Sequence, residues 1–502
     1  MANCKKQCGP GYKSPLDAFI NGKRETILYT ICIQPNTLTK KKSDYLATID
    51  VNPNSPTYSQ VIFRTNFENV GDELHHFGWN TCSSCYDDCT KSRNKVILPS
   101  LGSDRIYVLD VTNEKAPKLH KTIEPSEVHA LNVSTLHTTH CLPNGYVMIS
   151  TMGDAEGNGK GDFLLIDAEE GVVKETWTKG NTAKFGYDFW YQPYWDVLVS
   201  SEWGTPKDFK IGFNPDHIND IGIYNIYNWL FIYLTHICNF KYVYKIEKYG
   251  RSLNFYSWSE RTLLQTIDLG TDGIAPLEIR FLHNPKASEG FVGCAVNSNV
   301  FRFFRTDDGT WDSEKVISVP KKTVKDSNGL KEISGMITDI LISLDDKYLY
   351  FSNWLHGDVR QYDITNTSKP KLVGQIFLGG LLLNDELLTI VKDSELKKQP
   401  EPVYIKERRL FGSPQMLQLS LDGKRLYVTT SLFTPWDKQF YPESVKHGST
   451  LVKLDVDTIN GGLSLDQDFL IDFGKEPDGP IMAHETRYPG GDCTSDIWLT
   501  ED

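Results

Sequence analysis

Histidine and carboxylate recur together in this chain, each time just before or inside an apolar run. The segments are Asp72-Glu-Leu-His-His-Phe-Gly-Trp79, Leu136-His-Thr-Thr-His-Cys141, Glu278-Ile-Arg-Phe-Leu-His283 and Ala483-His-Glu-Thr-Arg487. Neutral imidazole is a ligand for copper, zinc, iron and nickel, and a neighbouring carboxylate can move a proton. The candidate metal ligands are therefore His75, His76, His137, His140, His283 and His484, with Glu73, Glu278 and Glu485 as candidate proton carriers. His356, in Trp354-Leu-His-Gly, is a weaker candidate at a blade edge or channel mouth. His137 and His140 are three residues apart, so a regular strand cannot point both the same way. A bulge or a strand end is needed, or one of them is not a ligand.

Residues this far apart in sequence meet only if a repeating element brings them together. Two strand signatures alternate along the chain. The first is a β-branched or aromatic run: Ile27 to Ile31, Lys95 to Leu98, Tyr146 to Ser150, Val197 to Ser200, Phe291 to Ala295, Tyr348 to Ser352 and Leu426 to Thr430. The second is an alternating strand: Leu46 to Asp50, Arg105 to Asp110, Phe163 to Asp167, Leu253 to Ser257, Val300 to Phe304, Val359 to Asp363 and Leu451 to Asp455. Tight turns such as Pro143-Asn-Gly145 and Leu421-Asp-Gly423 separate strands. Seven short-strand units of this kind predict an all-β, seven-bladed β-propeller over residues 1–502, with long inter-strand loops. The histidine-bearing segments lie upstream of the first signature, where the innermost strand of each blade lines the axis.

Composition narrows the function. The chain has 502 residues, 53 Lys and Arg against 65 Asp and Glu, and a net charge of −12. An acidic chain without a basic stripe excludes nucleic acid as an expected partner. The N-terminus has no apolar h-region, which makes the cytosol the expected compartment and reduced thiols the expectation for the ten cysteines. Cys82-Ser-Ser-Cys85 has the spacing of a redox dithiol or half of a metal site, with Cys89 close behind. From Gly379 to Pro402 the pattern reads as a long loop between blades. Residues 221–246 are apolar and aromatic, with Lys241 and Lys245 the only charges. Their length suits a membrane span, but Asn225, Asn228, His236 and Asn239 do not. They read as an atypical insertion between strands, of the kind a retained intron or mispredicted exon produces.

Several longer strings are more specific than the blade pattern. They include Gly78-Trp-Asn-Thr-Cys-Ser-Ser-Cys85, Gly186-Tyr-Asp-Phe-Trp-Tyr-Gln-Pro193, Pro276-Leu-Glu-Ile-Arg-Phe-Leu-His-Asn-Pro285, Tyr350-Phe-Ser-Asn-Trp-Leu-His-Gly-Asp358, Trp436-Asp-Lys-Gln-Phe-Tyr441 and Arg487-Tyr-Pro-Gly-Gly-Asp-Cys493. On these, over nearly its whole length, the chain resembles the selenium-binding protein family. The resemblance implies a copper-dependent oxidase that converts methanethiol, dioxygen and water to formaldehyde, hydrogen sulfide and hydrogen peroxide. Its partners would then be a small thiol and dioxygen. The same resemblance also implies a second, non-catalytic reading: a selenium-binding propeller in intra-Golgi transport or xenobiotic sensing, with peripheral membrane and nuclear locations. The cysteine proposed to hold selenium in vertebrate members aligns with Ser59, in Pro56-Thr-Tyr-Ser-Gln60. A hydroxyl cannot form the selenium–sulfur bond, so selenite treatment followed by peptide mass mapping is expected to leave the Ser59 peptide unlabelled. Selenium found on that peptide would overturn this expectation.

Overall fold

The computed structural model describes residues 8–218 and 248–499. Most strands fall in seven four-stranded antiparallel sheets. All fourteen strands expected from the two alternating signatures are present, as the second and third strands of the seven blades. Counting from the axis outward, the first blade is Met482–Arg487, Ile27–Ile33, Tyr45–Asp50 and Gln60–Asn66. The innermost strands of the next six are Gly78–Trp79, Ser134–Cys141, Phe189–Gln192, Pro276–Phe281, Ile337–Ile342 and Leu417–Leu419. In the first blade the C-terminal strand pairs with Ile27–Ile33 from the N-terminal part, so the ring closes by hydrogen bonding rather than covalently.

The burial gradient across each blade explains the sequence signatures. The innermost strands are buried at every position, whereas outermost strands such as Lys118–Ile123 and Val172–Thr176 are mostly exposed. Gly145 (φ 93°) and Gly423 (φ 71°) take the left-handed conformation in their hairpin turns, where a side chain would be strained. Adjacent blades are joined by aromatic contacts. Phe163 packs edge-on against Phe189 of the next blade, and Phe255 stacks on Trp311 with 5.1 Å between centroids.

Two places depart from the expectations above. The segment from Gly379 to Pro402 is not featureless: Thr389–Lys392 pairs with Lys322–Asp326, which also pairs with Gly329–Ile333, in a small sheet outside the blades. Cys8 and Cys89 form a disulfide, so uniformly reduced thiols are not what the structure contains. The Ser59 hydroxyl donates to Leu470 O at 2.8 Å and accepts from Leu470 N at 2.9 Å, fastening the first blade's hairpin to the last blade. The apolar run at 221–246 lies outside the described residues, in the connection between Val197–Ser200 and Ser252–Ser257 of one blade. Among the described residues no helix is long and apolar enough to cross a membrane.

The two ends of the axis are covered differently. One end lies under loops carrying Trp203, Phe209, Phe433 and Trp436, a single apolar cluster. At the other end the C-terminal tail runs back under the inner strands and inserts Ile497 and Trp498 into two blade cores. Asp496 holds this tail through Arg93 and through the Ser83 hydroxyl at 3.2 Å. Removing a fully buried indole leaves a cavity as well as losing its transfer free energy. Trp498→Ala is therefore expected to cost about 3–5 kcal/mol of unfolding free energy, measured by urea denaturation. A loss below about 1 kcal/mol would show that the tail lies on the core rather than in it.

Candidate metal centre

Four of the six candidate histidines meet at the end of the axis that lies under Phe433 and Trp436. His75 stacks on His484 with centroids 3.8 Å apart, and His76 lies edge-on to His137 at 4.1 Å. His75 and His137 are 5.3 Å apart, and His76 and His484 5.2 Å. One nitrogen from each of His75, His76 and His137 lies within 4.8 Å of the other two. Metal–nitrogen bonds of about 2.0–2.1 Å fit such a triangle after small ring rotations.

Three of these rings, His76, His137 and His484, share one hydrogen-bonding pattern. His484 Nδ1 is 2.9 Å from Ser431 O; a carbonyl only accepts, so Nδ1 carries the proton and Nε2 keeps its lone pair. His76 Nδ1 is 2.9 Å from Glu485 Oε1, whose carboxylate also accepts from Phe77 N and Arg487 Nη2, both at 2.6 Å. His137 Nδ1 is 3.1 Å from Thr138 Oγ1. The buried Nε2 atoms of His76, His137 and His484 have no partner. A buried polar atom left unpaired costs about 1–3 kcal/mol, so three on adjoining rings make this cluster the candidate ligand site. Burial, reinforced by the neighbouring imidazoles, holds His75, His76 and His137 well below the ordinary histidine range, and burial pushes His484 down to about 4. The rings are neutral at physiological pH, the form that binds a metal.

The local backbone explains how the strands present these rings. The strand Ser134–Cys141 shifts register between Leu136 and Thr139, which supplies the bulge that the His137–His140 spacing demands. The inner strands of two other blades shift between Pro276 and Ile279 and between Ile337 and Asp339. Bulges of this kind re-aim side chains at the end of a sheet.

Two histidines of the pool lie elsewhere. His140 is packed among Phe189, Trp190 and Tyr191, with both nitrogens buried and unpartnered. His283 sits near Trp498 at the tail end, its Nε2 2.9 Å from Ile342 O. His356 Nε2 is 3.1 Å from Ile333 O, outside the cluster. Of the carboxylates, Glu485 supports His76 directly, and Glu278 Oε1 stands 4.0 Å from His76 Nε2. Glu73 instead accepts from Thr434 N at 2.8 Å, tying down the covering helix Thr434–Phe440. Cys82 and Cys85 are at the tail end, away from the four rings.

Several residues that line the site do not stand out in the sequence. Arg280 donates to Asp188 Oδ2 at 2.5 Å and to Glu278 Oε2 at 2.9 Å. Burial and the Asp188 charge push the Glu278 carboxyl well above its ordinary value. At Asp188 burial pulls the same way, but Arg280 together with hydrogen bonds from Glu278 and Ile279 N overcomes it and keeps the group below the usual carboxylate range. Beside His75 and His137 is a cavity of about 30 Å³, walled by Tyr187, Trp203, Phe433 and Trp436 and by Met152 and Met336. Tyr187 and Asp188 belong to the string Gly186-Tyr-Asp-Phe-Trp, which carries no catalytic pattern by itself.

Residues 6–233 and 234–499 match the family described as 56kDa selenium binding protein. The chain belongs to that family. A methanethiol oxidase from Xenopus laevis is 56% identical, covering 99% of this chain and 100% of the relative. Selenium-binding protein 2 from Mus musculus is 55% identical with the same coverage. The crystal structure of a hypothetical selenium-binding protein from Sulfolobus tokodaii superposes with a TM-score of 0.80 at 34% identity, over 98% of this chain and 99% of that one.

Because Glu485 orients His76, Glu485→Gln is expected to weaken metal binding about 10–100-fold while the protein stays folded. Competition with a chromogenic chelator measures this. Unchanged affinity would remove Glu485 from the support of the site.

Proposed function

We propose that this protein is a methanethiol oxidase whose metal is copper, held by His75, His76, His137 and His484. The convergence of three unpartnered, buried Nε2 atoms beside a small apolar chamber carries the proposal. Full-length relatives that bear this name support it. In the overall conversion, methanethiol, dioxygen and water, one molecule of each, give one molecule each of formaldehyde, hydrogen sulfide and hydrogen peroxide. Carbon, hydrogen, sulfur and oxygen all balance.

The donor set suits copper: neutral imidazoles, each Nδ1 of His76, His137 and His484 engaged, in a dry pocket. Bound there, copper would supply one-electron chemistry with dioxygen and acidify a thiol. The chain's own residues do the rest. Trp203, Phe433 and Trp436 exclude water and bring an apolar methyl group against the histidines. A water needs on the order of 10–15 Å³, so a chamber of about 30 Å³ admits a molecule of very few heavy atoms. Glu278, held in its acid form by burial and by Asp188, presents Oε1 next to His76 as the atom through which a proton enters or leaves. Glu485 is committed to His76, Phe77 and Arg487, which suits a positioning role better than proton transfer.

A purely selenium-carrying or trafficking propeller would leave the unpartnered imidazole nitrogens without a purpose, and Ser59 offers no thiol for selenium. Purified protein is expected to contain copper and to release hydrogen sulfide and hydrogen peroxide from methanethiol. His76→Ala and His137→Ala should lose both the metal and the activity. Full copper and full activity in both variants would sink the proposal. Lengthening the thiol by each methylene is expected to lower kcat/KM about tenfold or more, and Phe433→Ala should relieve part of that loss.

A further inference from the structure

The tail end of the axis carries a second reactive grouping that the histidine site does not use. Cys82 and Cys85 have dithiol spacing, yet the sulfur facing Cys82 is that of Cys141, 2.6 Å away. A disulfide bond is about 2.05 Å long, so the pair needs to close by only about half an ångström. Cys85 reaches just the Ser84 hydroxyl, at 3.9 Å. The compact three-ligand group found among the described residues is the histidine one, so these thiols do not form a three-thiolate metal cage.

We propose that Cys82 and Cys141 are a redox-active dithiol that a hydroperoxide oxidises to a disulfide. In the first step the Cys82 sulfur attacks the peroxide: the O–O bond breaks, the alcohol or water leaves, and Cys82 becomes a sulfenic acid. The Cys141 sulfur then attacks Cys82, the S–S bond forms, and the hydroxyl departs as water. Net, two thiols and one hydroperoxide give one disulfide, one alcohol (water, where the oxidant is hydrogen peroxide) and one water, with two electrons passing from the thiols to the peroxide.

Three features of the surroundings fit this chemistry. The Cys141 thiol donates to the Cys82 sulfur, which makes Cys82 the attacking atom and Cys141 the resolving one. Burial opposes a thiolate at Cys82, but the hydrogen bonds with Cys141, the Ile497 backbone and Ser84 together lower the thiol from its ordinary value. Ser84, which is only half-buried, sets its hydroxyl 3.1 Å from Cys82 Sγ and 3.6 Å from Cys141 Sγ, so the pair lies one residue in from solvent. The loop is also pinned: Cys89 is bonded to Cys8, and Ser83 contacts Tyr12 N and Asp496. Closing the new bond would join this loop to the strand that carries His137.

The inference does not depend on the oxidase reading, because peroxide is supplied directly. The full-length protein is reduced, freed of reductant, treated with hydrogen peroxide, alkylated in denaturant and mapped by mass spectrometry. Beyond the Cys8–Cys89 bond, which re-forms, the expected result is loss of two further thiols, recovered as a peptide joining Cys82 to Cys141. Cys85→Ser should leave that peptide unchanged, and Cys141→Ser should yield a dimedone adduct on Cys82 instead. A Cys82–Cys85 link, or full alkylation of Cys82 and Cys141 in the wild-type chain after excess peroxide, would overturn the proposal. The wild-type map decides the matter even if a variant fails to fold.

Discussion

Seven strands pack side by side around a narrow axis, and each is buried on every face. Any polar group pointing inward must therefore find its partner on another blade, or on a ligand. Along this axis most such groups are paired: Arg280 with Asp188 and Glu278, and Arg487 with Glu485 and Asp492. Unpaired atoms occur at both ends, the His140 nitrogens among them, but one group of exceptions is shared by neighbouring rings. Imidazole nitrogens of His76, His137 and His484 stay unpaired at one end, under an aromatic cover. The same closed geometry that would penalise them makes them available to a metal.

The axial charges also set the protonation state of the site. Two carboxyls share the neighbourhood of one guanidinium, and burial lets only one of them ionise easily. Asp188, with the closer contact to Arg280, takes the charge, and Glu278 is left holding a proton beside His76. Two carboxyls with values pushed in opposite directions by a shared environment is a common way to obtain an acid at neutral pH. Here the division depends on Asp188, just before the inner strand Phe189–Gln192, and on Glu278 and Arg280 from the inner strand of the next blade.

The blade strands were legible because a propeller writes its architecture locally. Each second and third strand is a short β-branched or aromatic run bounded by a turn that needs glycine, asparagine or aspartate, and all fourteen appear where that pattern puts them. The histidine pool was legible as a set of types in a repeated position, but not as a site. His140 and His283 share the sequence context of His137 and His484, yet they face the tail end. Depth along an inner strand decides this, and a bulge between Leu136 and Thr139 sets the facing of His137 relative to His140. Spacing likewise pointed to Cys82 with Cys85, whereas a 3-10 turn over Ser83–Cys85 turns Cys85 aside and brings Cys82 to Cys141 of the next blade. The disulfide between Cys8 and Cys89 carried no spacing signal, because loop packing alone unites residues 81 apart.

By itself, the sequence determined what recurs within a blade: strand length, alternation and turn chemistry, which depend on neighbours a few residues away. Through its longer strings it also determined the family. Only the tertiary structure decided which four histidines converge, which carboxyl keeps a proton, and which thiols meet. Those outcomes depend on strands hundreds of residues apart arriving at one axis at a particular depth. Ring closure by the C-terminal strand against Ile27–Ile33 is what brings His484 to His75.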